Sequence, residues 1–106
     1  MFVDAAQAAR VAVISYAETT ARLGAAPVVE PVAVVDDFAL ADWTAGRKQG
    51  EALLVMREGK WRVVAFENSS LADAHFLTIR YKVPPDEASA LVKTLREAEQ
   101  RENIRP

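Results

Sequence analysis

Between Val28 and Phe66 the chain is a succession of short apolar runs separated by turn residues, and each run has the two-residue period of a strand. Val28 to Val35 is dominated by valine, Asp36-Asp37 makes a turn, and Phe38 to Ala45 places Phe38 and Leu40 on one face and Ala39, Ala41 and Trp43 on the other. A loop, Gly46 to Gly50, leads into a hairpin that reaches Phe66 and turns at Glu58-Gly59, where glycine supplies the positive φ of a tight connection. In the first arm of that hairpin Ala52, Leu54 and Met56 share one face and Leu53 and Val55 the other. In the second arm Trp61, Val63 and Ala65 alternate with Val64 and Phe66. Both faces are apolar, which predicts a sheet covered on two sides, by helices, by a partner chain or by one of each. The short links predict a four-stranded antiparallel meander, with Pro31 confining the first strand to an edge or delaying its start to Val32.

Helical spacing flanks the meander. Residues 4 to about 23 are rich in alanine, with Asp4 as N-cap and Gly24 as stop, and Phe2, Ala6, Ala9, Val13, Tyr16 and Ala17 fall on one face. Arg10, Glu18 and Arg22 read as solvated charges. After Asn68, Ser70 as N-cap and Asp73 three residues on predict a short helix from Ser70 to about Tyr81, although residues 75 to 83 also alternate as a strand would. Pro84-Pro85 ends it. Pro85, Asp86 and Glu87 open a longer helix in which Ala88, Leu91, Val92, Leu95 and Ala98 form the buried stripe, and residues 102 to 106 read as a frayed tail. The fold class is therefore α+β in a single domain over residues 1–106: an N-terminal helix, a four-stranded antiparallel meander, and one short and one longer C-terminal helix.

Composition narrows the function more than it names one. At 106 residues, 51% hydrophobic and 26% charged, the chain can bury a core without staples. A formal net charge of -2 with no basic face beyond Arg47-Lys48 argues against nucleic acid as a partner. No run of apolar residues is long enough for membrane insertion. The absence of cysteine removes disulfides, thiolate metal sites and Cys nucleophiles. The amino terminus lacks the pattern of a secretory signal.

Candidate chemistry is sparse. The single histidine, His75, has neither a second His nor a Cys to complete a ligand set, and Asp36-Asp37 suits a turn. Asp42 is a carboxylate inside an apolar strand, where burial would raise its pKa, an edge or rim position being the more ordinary explanation; Trp43 beside it, with Trp61 and Arg47, offers a ligand platform, against the usual core or interface role of tryptophan in a small domain. No phosphate cradle, nucleophile elbow or HExxH pattern occurs. Asp42, Trp43 and His75 are thus the binding candidates. No catalytic residue, metal ligand or cofactor is assigned, and the chain is read as non-enzymatic.

The run from Val29 to Gly46 (VEPVAVVDDFALADWTAG), with Gly50 to Val55 and Gly59-Lys60-Trp61, resembles the bacterial copper uptake system-associated proteins, and Val83-Pro84 followed by an Ala/Leu helix ending in Glu97-Ala98-Glu99 fits their pattern. The resemblance covers most of residues 28 to 100 and rests on hydrophobic and turn residues. It implies a protein associated with copper handling, periplasmic once a signal peptide is removed and cytoplasmic otherwise. Members carry a cysteine just after the last strand, where this chain has Glu67-Asn68, so no metal site is carried over. The order of helix and meander is also similar to cystatin-like and nuclear-transport-factor-like folds, which host diverse functions. Three expectations follow. The first is an accessory or protein-interaction domain that works through its sheet or its C-terminal helices, with a protein partner or as a homo-oligomer. The second is a small-ligand or metal-binding module with a pocket between the first helix and the meander. The third is an enzyme of the nuclear-transport-factor-like type, which would require a polar cavity holding a perturbed Asp or His.

Overall fold

The computed structural model describes residues 4–103 and has the α+β architecture that the pattern predicts. Helix α1, Ala5–Tyr16, is capped by the Asp4 carboxylate, which accepts from the Gln7 N–H. It continues as a π-helical turn, Ala17–Ala21, and ends where Arg22 takes up a left-handed conformation. Strands β1 (Val28–Val35), β2 (Phe38–Ala45), β3 (Lys48–Arg57) and β4 (Lys60–Glu67) pair in chain order, all antiparallel. Helices α2 (Ala74–Tyr81) and α3 (Pro85–Asn103) complete the chain. Among the described residues no helix is long and apolar enough to cross a membrane.

The two apolar faces of the sheet are covered by the chain's own helices. On one, Ala33, Leu40, Leu53 and Ala65 pack against Leu77 of α2 and against Ala88, Leu91 and Leu95 of α3. On the other, Ala39, Ala41, Trp43, Ala52 and Leu54 pack against Ala9 and Val13 of α1. Among the described residues both sheet faces are thus packed against helices, which is the first of the three coverings that the pattern allowed.

Several local readings change. A bulge between the Leu53 and Leu54 rungs leaves Val64 as an extra residue on β4. Ala65 therefore joins the α3 side with Leu53, while Phe66 joins Trp61 and Val63 on the α1 side, opposite to simple alternation. The link between β2 and β3 is a two-residue turn, Gly46-Arg47, because Lys48, Gln49 and Gly50 pair with Ala45, Thr44 and Trp43. Helix α2 starts three to four residues later than Ser70 would place it: Asp73 is the N-cap, accepting from the Phe76 N–H, and residues 74–81 are helix rather than strand. Pro31 lies in the edge strand β1, beside a bulge between Val29 and Val32. Arg10 is not a free charge, since its Nε donates to the Val29 carbonyl at 2.7 Å and ties α1 to that edge. Glu102 remains helical. Phe2 and residues 104–106, assigned to the first helix face and to the tail, lie outside the described residues.

Candidate acidic pocket

One end of the α3-side core turns from apolar to acidic without any change in spacing. Along β2 the face that carries Phe38 and Leu40 continues to Asp42; along β3 the face that carries Leu53 begins at Glu51; and Asp42 and Glu51 are direct cross-strand partners. Along α3 the buried positions Ala88, Leu91 and Leu95 continue at helical spacing to Glu99 and Glu102. Sheet and helix thus deliver Asp42, Glu51 and Glu99 to one place, where their carboxylate oxygens lie within 4.8 Å of one another. They line a pocket of about 420 Å³ that Glu30, Glu102 and Ser70 also border, and no Lys or Arg is among its lining residues. Five carboxylates around one concavity concentrate negative potential there.

The cluster is held by a network centred on Glu51, which is 5% exposed. Its Oε1 accepts from the Leu71 N–H at 2.5 Å and from Ser70 Oγ at 3.0 Å, which pins the segment between β4 and α2 to the sheet. Ser70 therefore serves this network instead of capping the helix. Its Oγ also accepts from Arg96 Nη2 at 3.1 Å and from the Ala72 N–H at 3.2 Å. Arg96 Nη1 donates to both oxygens of Glu99, at 2.8 and 3.0 Å, and reaches Glu51 Oε2 at 3.5 Å. The single cation thus serves Glu99 and Glu51, and no guanidinium hydrogen bond is directed at Asp42.

Asp42 consequently keeps a proton. Burial, then hydrogen bonding to Glu99 and Glu51, then the charges of those same two groups push its pKa to about 9. Burial alone would raise Glu99 as well, but the hydrogen bonds from Asp42 and Arg96 outweigh it and hold that carboxyl below its ordinary value. Arg96 is raised, chiefly by its bond to Glu99. Asp42 and Glu99 therefore form a proton-sharing pair in which the proton resides on Asp42.

The three sequence candidates separate in space. Asp42 lies at the centre of the site. Trp43 contributes to the pocket wall, but its ring belongs to the α1-side core, stacked on Phe66 at 4.5 Å. It sits opposite Gly50 whereas Trp61 sits opposite Met56, six residues further along β3, so the two indoles form no platform. His75 is exposed on α2 and does not line the pocket. The acidic pocket lies between the end of the sheet and the C-terminal half of α3; a second concavity of about 310 Å³, bordered by Ala21, Leu23, Trp43 and Phe66, lies between the end of the N-terminal helical segment and the meander. Sequence reasoning missed Glu51, Glu99, Arg96 and Ser70. For Glu99 the signal was there, because the spacing 88, 91, 95, 99 extends the apolar stripe.

Comparisons of the chain with protein-family models, with curated proteins and with solved structures found no match.

Proposed function

We propose that this chain is a binding module whose acidic pocket takes a hard divalent cation. The observation that carries this reading is the convergence of Asp42, Glu51 and Glu99 within 4.8 Å, one of them lacking a cationic partner and holding a proton instead. Three carboxylates with no thiolate or imidazole among them are the donor set of hard cations such as calcium and magnesium. A cation entering beside Asp42 replaces the proton, gains three carboxylates, and completes its shell with water from the pocket. An all-oxygen set does not suit Cu(I), so the copper association implied by the resemblance would, at this pocket, be limited to Cu(II).

Calorimetric titration with calcium, repeated in buffers of different ionisation enthalpy, tests the proposal. At pH 7.5 about one proton is released per ion bound, because Asp42 titrates near 9. Asp42→Asn abolishes the release and weakens binding at least about tenfold. Absence of binding at millimolar calcium, magnesium, zinc and Cu(II), or binding indifferent to Asp42→Asn, overturns it.

The proton-sharing pair also favours a second reading. A neutral carboxylic acid beside an ionised one is the arrangement that general acid–base sites use, and it meets the polar-cavity requirement set for a nuclear-transport-factor-like enzyme. Turnover of a small substrate that Asp42→Asn and Glu99→Gln each abolish, with no cation required, would establish that reading in place of the first.

A further inference from the structure

The two edges of the sheet are treated differently. The β1 edge is broken by its bulge and by Pro31, and Arg10 occupies the Val29 carbonyl. The β4 edge is a run of eight residues, Lys60–Glu67, with no proline. Its only ladder is with β3, and among the described residues neither the backbone bonds outside helices and strands nor the side-chain bonds involve residues 60–67, so its outward N–H and C=O groups have no protein partner. Val64, the bulged residue, is 39% exposed there.

The sequence of this edge is complementary to itself when reversed. Read as KWRVVAFE and paired antiparallel about a point between Val63 and Val64, it sets Lys60 opposite Glu67, Trp61 opposite Phe66 and Arg62 opposite Ala65, each pair occurring twice. In a regular strand such a register would set residues of opposite faces against each other. The bulge removes that conflict. Because of it Lys60, Arg62, Ala65 and Glu67 share the α3 side, and Trp61 and Phe66 share the α1 side, so every one of these pairs meets on a common face. Opposite charges at the ends and aromatic pairs inside them are the cross-strand combinations that stabilise antiparallel ladders.

We infer that β4 pairs with β4 of a second copy of this chain, joining two four-stranded sheets into one of eight strands about a two-fold axis between Val63 and Val64. The interface is isologous, as a two-fold dimer requires, and it leaves the α1 and α3 layers of each copy in place. It is independent of the acidic pocket reading.

Sedimentation equilibrium of the full chain from micromolar to millimolar concentration tests this inference. The expected result is a reversible dimer. Lys60→Glu, an exposed change that turns two attractive charge pairs into two repulsive ones, raises its dissociation constant about tenfold. The double variant Lys60→Glu with Glu67→Lys restores the original value. A monomer throughout the range, a dimer indifferent to Lys60→Glu, or a failure of the double exchange to restore association each overturns it.

Discussion

Replacing Gly50 by alanine is expected to destabilise the fold by at least about 3 kcal/mol, the scale of overpacking against a rigid neighbour. A Cβ at this position would stand 1.8 Å from the Glu67 carbonyl oxygen and 2.7 Å from the Asn68 Cα. Both are backbone atoms, so no rotamer change relieves the clash, and the end of β4 has to move away from β3. That movement reaches the site, because the chain immediately beyond carries Ser70 and Leu71, whose Oγ–H and N–H bind Glu51. Urea unfolding of Gly50→Ala should show the loss directly, and the Leu71 amide should exchange faster with solvent. Gly59→Ala is the control: it has φ 76° with open space around it, so the change costs only the left-handed conformation, about 1 kcal/mol. Equal costs at the two positions would contradict this account of Gly50.

The second large effect concerns pH. In the folded chain Asp42 keeps its proton to about pH 9, whereas unfolded it releases it near 3.8. The folded state therefore binds the extra proton across that window, and stability falls as pH rises through it, levelling off above the folded pKa. Glu99 acts in the opposite sense: its lowered pKa contributes stability above the ordinary carboxylate value of 4.5 that disappears on further acidification. The two together place the optimum in mild acid. Allowing for solvent screening at a partly exposed group, the decline toward pH 9 should amount to about 2 kcal/mol, or about 8 °C in Tm for a domain of this size. Asp42→Asn, which keeps the shape and removes the ionisation, should flatten that limb and raise Tm at pH 9 while changing little at pH 5. A wild-type Tm that rises from pH 5 to pH 9 would contradict the assignment of the proton.

Much of the architecture was legible because each element carries its own local signal. Asp36-Asp37 and Glu58-Gly59 mark turns whatever surrounds them, and Pro85 with Asp86 and Glu87 announces a helix start. The bulge at Val64 had no such signal. Val63, Val64, Ala65 and Phe66 are all apolar, so slipping one residue leaves no polar group misplaced to reveal it. The start of α2 was misplaced for a related reason, since Ser70 and Asp73 are both competent caps and only the tertiary bond to Glu51 decides between them.

The site was legible in one residue of three. Asp42 stands out as a carboxylate in an apolar strand, a local anomaly. Glu51 follows the glycine that read as the end of a loop, and Glu99, although in step with Ala88, Leu91 and Leu95, belongs to a polar helix terminus where acids are ordinary and its spacing passes unread. Their meeting depends on β3 pairing with β2 in one register and on α3 crossing the same sheet face, which sequence spacing does not encode. The absence of a metal in the sequence reading has the same origin, since Asp42 alone offers no ligand set.

Asp42 holds a proton at the centre of the acidic pocket, and carbon-detected NMR of its side-chain carboxyl, titrated from pH 3 to pH 10, tests this most directly. The expected midpoint is near 9, falling when calcium is added as the ion takes the proton's place. A midpoint in the ordinary carboxylate range near 3.8, unchanged by calcium, would contradict it.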